Sequence, residues 1–206
     1  MVIAIDGPAG AGKSTVARAV AERLGFTYLD TGAMYRCVAL GTIESGEAPA
    51  TVAERAHIDV GERVLLDGRD VTGAIRTPQV SARASEVASD PRVREALVRR
   101  QQELLAAGDW VAEGRDIALV VAPGAEVKVF LYADPEERAR RRAGEQGAAL
   151  EAVQRAQRER DLRDQTDGRT VLEPARDAVP VDTTALSIEE VVGQIATLVV
   201  EAEELR

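Results

Sequence analysis

Residues 7–15 read Gly7-Pro8-Ala9-Gly10-Ala11-Gly12-Lys13-Ser14-Thr15, directly after the apolar run Val2-Ile3-Ala4-Ile5. This order fits the pattern G-x-x-x-x-G-K-[S/T], in which a buried strand leads into a glycine-rich turn and then into a helix. Glycines let several backbone N–H groups converge on phosphate oxygens, and the N-terminus of the helix adds positive potential. The stretch therefore predicts a P-loop α/β protein whose first ligand is a nucleoside triphosphate.

Two side chains of this loop have separate expected roles. Lys13 is expected to reach the β- and γ-phosphates of ATP, and the Ser14 hydroxyl to bind Mg²⁺. The sequence offers no support for a metal site built from protein ligands alone, so Mg²⁺ is expected to arrive with the nucleotide. The expected ATP-binding residues of the loop are Gly7, Pro8, Ala9, Gly10, Ala11, Gly12, Lys13, Ser14 and Thr15.

Composition limits the class of protein. A length of 206 residues, with 45% hydrophobic and 30% charged residues, predicts one globular domain spanning residues 1–206, monomeric by default, and no apolar stretch is long enough to span a membrane. Cys37 is the only cysteine, so no intramolecular disulfide can form and a reducing, cytoplasmic location is expected. The net charge of -9 argues against a nucleic-acid partner, because nonspecific binding to a polyanion depends on basic surface.

The basic residues are almost all arginines. Of the 26 basic residues only Lys13 and Lys128 are lysines. The guanidinium group suits forked recognition of phosphate and carboxylate groups. The composition thus favours a protein that handles phosphorylated ligands.

The chain alternates strand and helix patterns. The expected strands follow apolar runs, and the expected helices follow capping residues or helical spacing of aliphatic residues. The strands are expected at about Val2–Ile5, Phe26–Leu29, Trp110–Ala112, Val127–Leu131 and Ala178–Asp182, and together predict a five-stranded parallel sheet flanked by helices. Helices are expected from Lys13 to about Gly25, over Ala33–Leu40, over Arg92–Ala107 after the capping residue Asp90, after Asp134-Pro135, and after the capping box of Ser187 and Glu190.

Two segments differ from this scheme. Residues 58–77 have the pattern of a small β-hairpin lobe, and with the helix that follows they predict a substrate-binding insertion. Residues 138–169 are charged and helical, with too little aliphatic content for a core, and predict a mobile lobe, of which about residues 138–165 correspond to the lid that a family resemblance described below implies. The remaining core is expected to comprise residues 1–57, 78–134 and 170–206.

A phosphate loop alone leaves several classes of protein open. A GTPase switch usually reads guanine with an N-K-x-D element, and the chain contains no asparagine. The D-x-x-G match at Asp70-Val71-Thr72-Gly73 lies in the hairpin lobe and is interpreted as chance. A motor ATPase would need oligomer-facing modules for which the chain has little room. The sole histidine, His57, is interpreted as a structural or surface residue, because phosphoryl transfer to a phosphate needs no general base. A small phosphotransferase remains.

Seven segments carry a resemblance to a known family. In chain order they are the phosphate loop, Leu29-Asp30-Thr31-Gly32-Ala33-Met34-Tyr35-Arg36, Ile75-Arg76-Thr77, Pro91-Arg92-Val93-Arg94, Glu113-Gly114-Arg115-Asp116, Arg160-Asp161-Leu162-Arg163-Asp164 and Val181-Asp182-Thr183-Thr184. The chain resembles the bacterial cytidylate (CMP) kinase family from residue 1 to about 200. The resemblance implies a nucleoside monophosphate kinase core with a CMP-binding insertion and a lid, and Mg²⁺-assisted transfer of the γ-phosphate of ATP to CMP or dCMP.

The resemblance also implies individual roles. Arg36 and Arg115 would hold the phosphate of the monophosphate, with Thr31 nearby, and with Lys13 they form the expected catalytic set. Ser85, Arg94 and Asp116 would read the cytosine edge, Arg160 and Asp164 would meet the sugar hydroxyls, and Arg138 and Arg142 would contact ATP from the lid. Uracil would leave Asp116 facing an acceptor, at a cost of roughly 1–3 kcal/mol.

One position departs from the family pattern. The family usually places another phosphate-facing arginine three residues after the aspartate that matches Asp164, and here that position is Asp167. Arg169 could replace it if the loop bulges at Gly168. Two alternatives stay open: a kinase for another small acceptor such as UMP or shikimate, and a non-catalytic nucleotide-binding regulatory module.

Overall fold

A computed structural model describes residues 1–166 and 174–204, with the backbone alone described at 145, 146, 160 and 163–166. Two compact units are present, one formed by Met1–Tyr28 with Gly108–Arg206 and the other by Leu29–Ala107. The elements in chain order are β1 (Val2–Asp6), α1 (Lys13–Leu24), β2 (Thr27–Asp30), α2 (Thr31–Ser45), α3 (Pro49–Arg55), β3 (Ile58–Val60), β4 (Val64–Leu66), β5 (Arg69–Asp70), α4 (Pro78–Val87), α5 (Pro91–Leu105), β6 (Trp110–Gly114), β7 (Val127–Tyr132), α6 (Pro135–Gln146), α7 (Leu150–Thr166), β8 (Val179–Asp182) and α8 (Ile188–Glu204).

The central sheet has five parallel strands in the order β2-β6-β1-β7-β8. In its register Asp6 lies opposite Gly114 on β6 and Phe130 on β7. The carboxyl ends of the adjacent strands β1 and β6 therefore lie side by side, and the phosphate loop follows one while Arg115 and Asp116 follow the other. The expected five-stranded parallel sheet is confirmed.

Two helices cover this sheet with aliphatic faces. Val16 and Val20 of α1 and Ile195 and Val199 of α8 are buried with Ile3 and other strand residues in one core. The N-terminus of α8 is closed by the expected capping box, since the amide N of Ser187 donates to Glu190 at 2.8 Å and the amide N of Glu190 donates to Ser187 Oγ at 3.3 Å. The helix-start prediction at Ser187 is confirmed.

The Leu29–Ala107 unit carries a small antiparallel sheet in the order β3-β4-β5. Asp67 and Gly68 form its tight turn with φ angles of 50° and 79°, which is the backbone that an Asp-Gly hairpin turn requires. The predicted hairpin at residues 58–77 is confirmed, and the structure shows three strands in it where a hairpin has two. Asp70 binds the amide N of Thr72 at 3.0 Å, so the D-x-x-G match has a structural use in this hairpin.

Two predicted helix caps and the predicted position of His57 can be compared with the structure. Asp90 and Asp134 cap α5 and α6 as expected, by accepting from the amide N of Arg92 and of Glu136. The side chain of His57 is 76% exposed, as expected for a surface residue. Helix α3 was not anticipated. Within the described ranges, no helix is long and apolar enough to cross a membrane.

Candidate active site

The phosphate loop depends on glycine for both backbone conformation and space. Gly7, Gly10 and Gly12 have φ angles of 146°, 78° and 87°, which residues with a side chain rarely adopt. A Cβ on Gly7 would lie 2.0 Å from the carbonyl oxygen of Leu131, and one on Gly10 would lie 2.9 Å from that of Arg138. The turn thus brings the loop backbone against β7 and α6 in a way that only glycine allows.

Lys13 and Ser14 begin α1 directly after the loop, as the motif predicts. The Lys13 ammonium donates to the carbonyl oxygen of Pro8 at 2.8 Å, which folds the lysine side chain back along the loop. The Ser14 side chain is exposed at the first turn of the helix. An accessible hydroxyl beside a phosphate loop fits a Mg²⁺ ion that takes its remaining ligands from nucleotide phosphates and water.

Helices α6 and α7 hold the phosphate loop from one side. Arg138 is buried and donates to the carbonyl oxygen of Ala9 at 3.0 Å and to the carboxylate of Asp161 at 2.9 Å. Gln157 of α7 donates to the same Ala9 oxygen at 3.3 Å. The charged stretch from residue 138 was expected to stay out of a core. That expectation is wrong for Arg138, whose guanidinium is buried because the Asp161 carboxylate neutralises it. That these helices move as a lid stays a prediction.

The segment after β8 supports the loop from a second direction. The buried Thr183 hydroxyl lies 3.1 Å from the carbonyl oxygen of Ala11, and it accepts a hydrogen bond from Arg141 at 3.1 Å. Arg141 also donates to the Thr183 carbonyl at 2.6 Å and to Glu137 at 3.1 Å. The ion pair of Arg141 with Glu137 is therefore one part of a larger brace around Thr183.

The loop that follows β6 carries Arg115 and Asp116. Arg115 is half-buried, with a guanidinium nitrogen 3.4 Å from the carbonyl oxygen of Gly7, and Asp116 is 9% exposed. Within this unit, therefore, the structure brings Arg115 next to the first glycine of the phosphate loop. Both side chains were named from the sequence, and their contacts with a substrate remain proposals.

Asp6 fixes the backbone just beyond Asp116. Its two carboxylate oxygens accept from the amide N of Ile117 and of Ala118, each at 2.8 Å. Burial raises the pKa of Asp6 to about 6, although the hydrogen bonds from these two amides act in the opposite direction and lower it. Because the folded-state pKa lies above the ordinary value of 3.8, the ionised group opposes folding, and its contribution to stability improves as the pH falls from about 6 towards 4.

In the Leu29–Ala107 unit, Arg36 is held by Asp30. The guanidinium donates to the Asp30 carboxylate at 2.7 Å, and the other carboxylate oxygen caps α2 by accepting from the amide N of Ala33 at 2.8 Å. A Cβ on Gly32 would lie 3.1 Å from the Arg36 guanidinium and 3.2 Å from Asp30, so glycine leaves room for this pair. Thr31 is buried at the first position of α2.

Ser85 and Arg94 lie in the same unit, on α4 and near the start of α5. Ser85 is 5% exposed, and among the described residues its hydroxyl has no hydrogen-bond partner. Arg94 is half-buried. A buried hydroxyl without a partner costs free energy unless a ligand or water satisfies it, so Ser85 is a suitable position for a polar contact with a substrate.

Of the remaining residues named from the sequence, the structure describes the side chain of one and not those of the others. Arg142 is half-buried on α6. The side chains of Arg160 and Asp164, and the whole of Asp167, Gly168 and Arg169, lie outside the part that the structure describes. Sequence reasoning missed Asp6, Asp30, Gln157, Asp161 and Thr183 as supporting residues, although Asp6, Asp30 and Thr183 each lie at or just beyond the carboxyl end of a strand, the edge at which ligands bind in parallel sheets.

The fold and the loop together define a P-loop α/β protein. Two solved kinases share the fold: a gluconokinase from Sinorhizobium meliloti 1021, with a TM-score of 0.55 and 21% identity over 99% of this chain and 94% of that chain, and a shikimate kinase from Acinetobacter baumannii, with a TM-score of 0.51 and 18% identity over 97% and 93%. At these identities the likeness shows the fold alone.

The sequence comparisons are more specific. The family model described as cytidylate kinase matches residues 3–201. A cytidylate kinase from Carboxydothermus hydrogenoformans is 48% identical and covers 97% of both chains, and one from Solibacter usitatus is 47% identical over 97% of this chain and 92% of its own. The chain belongs to the cytidylate kinase family, and it is a nucleotide-binding enzyme of the kinase class.

Proposed function

We propose that the chain transfers the γ-phosphate of ATP to CMP or dCMP, giving ADP and the corresponding diphosphate. The observation that carries this proposal is the placement of the phosphate loop and of Arg115 and Asp116 at the carboxyl ends of two adjacent parallel strands, β1 and β6, in a chain of this family. Ligands bind at this edge of open parallel sheets. Kinases for UMP or shikimate, and a non-catalytic binding module, are not favoured.

The donor nucleotide is assigned to the phosphate loop. The backbone N–H groups of the phosphate loop, which every residue except Pro8 provides, would bind the β- and γ-phosphates, and Lys13 would exchange the Pro8 carbonyl for a phosphate oxygen. Mg²⁺, bound through Ser14, would neutralise charge on the phosphates. Phosphoryl transfer passes through a loose, highly anionic transition state, so positioning and positive charge supply most of the catalysis.

The phosphate of the acceptor is assigned to Arg36 and Arg115, with Thr31 beside it. Guanidinium groups bind phosphate oxygens through paired, charge-assisted hydrogen bonds. The bond from Arg36 to Asp30 fixes the orientation of one of these groups before any substrate arrives. Such preorganisation lowers the cost of binding, because fewer side-chain rotations are lost on complex formation.

The base of the acceptor is assigned to Ser85, Arg94 and Asp116. Cytosine presents an amino donor that suits the Asp116 carboxylate, and acceptor atoms that suit Arg94 and the Ser85 hydroxyl. The buried Ser85 hydroxyl supports this role, because a bound base would satisfy it. Uracil presents an acceptor where cytosine presents the amino group, and the carboxylate of Asp116 would then be unsatisfied.

The lid residues complete the proposal. Arg160 and Asp164 are assigned to the sugar hydroxyls. Arg142 is assigned to ATP, whereas Arg138 already uses two nitrogens to hold Ala9 and Asp161 and would serve ATP chiefly through the loop. Closure over the nucleotides would exclude water and suppress ATP hydrolysis. We infer a cytoplasmic, monomeric enzyme from the single cysteine and the length of the chain.

An acceptor panel tests the function and the Asp116 assignment together. With ATP and Mg²⁺, the wild type should form ADP at least about 10-fold faster with CMP than with UMP at limiting acceptor, as the loss of one buried polar pairing predicts. In Asp116→Asn the advantage of CMP should fall to about 3-fold or less, because the amide meets both bases comparably well. The rates are measured by coupling ADP to NADH oxidation.

Asp177→Asn is the matched control. Asp177 is exposed and pairs with Lys128 at 2.5 Å, and neither residue is assigned to a substrate, so the CMP preference should be unchanged. Equal wild-type rates with CMP and UMP would contradict the cytosine assignment. ADP formation that no acceptor stimulates would contradict the function itself.

A further inference from the structure

The carboxylate of Asp6 joins two loops that the proposed reaction uses. It is the last residue of β1 and directly precedes Gly7 of the phosphate loop. Its side chain is 5% exposed, and each of its oxygens accepts one backbone amide, from Ile117 and from Ala118. Ile117 directly follows Asp116. Asp6 belongs neither to the phosphate-loop pattern nor to the residues assigned to CMP, so its role needs a separate explanation.

The backbone after Asp116 turns sharply and needs such a partner. Asp116 has φ -149° and ψ 31°, and residues Ile117–Val121 form a short π-helical turn. The first amides of a helical turn have no carbonyl partner within the turn. Asp6 supplies an acceptor for the first two of these amides, and so it fixes the start of this turn and with it the direction of Arg115 and Asp116.

We propose that Asp6 is a positioning residue for phosphoryl transfer, whose carboxylate holds the loop of Arg115 and Asp116 at a fixed position beside the phosphate loop. This proposal rests on the proposed function, which assigns Arg115 and Asp116 to the acceptor. The reaction needs the acceptor phosphate aligned with the transferred group, and displacements of about 1 Å can cost about 100-fold in rate. A single buried carboxylate that links both loops limits such displacement.

Only the ionised form of Asp6 can make both bonds. A protonated acid would turn one oxygen into a donor facing an amide N–H, so one bond would be lost. Burial and the nearby Asp116 raise the pKa of Asp6, and Lys13 lowers it. The charged groups that act on Asp6 are Asp116 and Lys13. The other titratable or charged residues on the elements around it are Arg115 of the following loop, Glu113 of β6, Lys128 and Tyr132 of β7, and Arg18, Glu22 and Arg23 further along α1; the residues of the π-helical turn are all apolar.

Asp6→Asn tests the proposal because it keeps the shape and removes one acceptor. KM for CMP should rise about 10-fold or more, and kcat/KM for CMP should fall about 10- to 100-fold, as expected for a lost charged hydrogen bond. The Kd of a non-hydrolysable ATP analogue, measured by calorimetry without CMP, should change by less than about 3-fold. Asp109→Asn is the control, since Asp109 is exposed and binds the N-terminal ammonium. A KM for CMP within about 2-fold of wild type would overturn the proposal.

The pH profile gives a readout that a merely structural residue would not move. The ratio of wild-type to Asp6→Asn kcat/KM for CMP should decrease towards 1 as the pH falls from 8 to 5, because only the wild type loses a carboxylate in this range. The phosphate of CMP also titrates near pH 6, but equally for both proteins, so it cancels in the ratio. A ratio that is constant with pH would overturn the proposal.

Hydrogen exchange separates this proposal from the proposed function. In the wild type without ligands, exchange in the peptide containing Ile117 and Ala118, corrected for intrinsic rates, should accelerate about 10-fold between pH 7 and pH 5, and peptides of α8 should not change. This measurement needs neither turnover nor a variant that folds. Unchanged protection would overturn the positioning role even if CMP is phosphorylated; acceleration without CMP turnover would support the brace and contradict only the function.

Discussion

Replacing Lys13 with methionine is expected to lower kcat about 1,000-fold while leaving the protein folded. Methionine keeps most of the length of the side chain and removes the positive charge that is assigned to the β- and γ-phosphates. Removal of one preorganised donor to a developing negative charge typically costs about 100- to 1,000-fold. The measurement is kcat with saturating ATP and CMP, together with the thermal unfolding midpoint.

The sequence provides a matched control, because Lys128 is the only other lysine. Lys128 lies on β7 and pairs with Asp177, and Lys128→Met should change kcat by less than about 3-fold. A Lys13→Met enzyme that retains more than about one tenth of wild-type kcat would contradict the role of this lysine in transfer. Equal losses of kcat in Lys13→Met and Lys128→Met would indicate that the substitutions lower the stability of the protein and do not act on the transfer step.

Replacing Gly7 with alanine is expected to destabilise the protein by roughly 3–5 kcal/mol. The added Cβ would lie 2.0 Å from the carbonyl oxygen of Leu131, a backbone atom of β7 that cannot move aside cheaply because β7 is paired with β1 on one side and β8 on the other. The φ angle of 146° adds strain for any residue with a side chain. Denaturant unfolding should show this loss, and the affinity for ATP should fall with it because the loop backbone must shift.

Gly25→Ala separates the two causes of this loss. Gly25 also has a positive φ, of 70°, but a Cβ there would meet no atom within 4 Å. Its substitution should cost about 1 kcal/mol from backbone strain alone. Comparable losses in free energy of unfolding for the two alanine variants would show that the contact between Gly7 and Leu131 is not a close one.

Features that depend on neighbours in sequence were predictable. The phosphate loop, the Asp90 and Asp134 caps and the box of Ser187 and Glu190 each need only residues within a few positions of one another, and each is present as predicted. Alternation of apolar strands with helices predicted the parallel sheet, because that order of elements has few compact solutions.

Features that depend on distant residues were not predictable in the same way. Asp6 binds amides 111 and 112 positions away, and Arg138 pairs with Asp161 while reaching 129 positions back to Ala9. No local pattern marks either one. The arginine-rich helices were judged by aliphatic content, which misses a guanidinium that is buried because a carboxylate neutralises it.

The site residues themselves illustrate the same limit. Arg36 was named from its motif, but the reason for the motif became clear only from the structure, since Asp30 both caps α2 and holds the Arg36 guanidinium, and Gly32 leaves space for the pair. Ser85 was likewise named by resemblance. Its buried hydroxyl without a partner among the described residues gives it an independent physical argument.

The most direct test of the account follows the phosphoryl group itself. ATP labelled with ³²P at the γ-position is incubated with the purified protein, Mg²⁺ and CMP, and the products are separated by thin-layer chromatography. The label should appear in CDP, with little inorganic phosphate, because Lys13 and the loop amides present the γ-phosphate to an acceptor held by Arg36 and Arg115. Label that stays in ATP, or leaves only as inorganic phosphate, would contradict it.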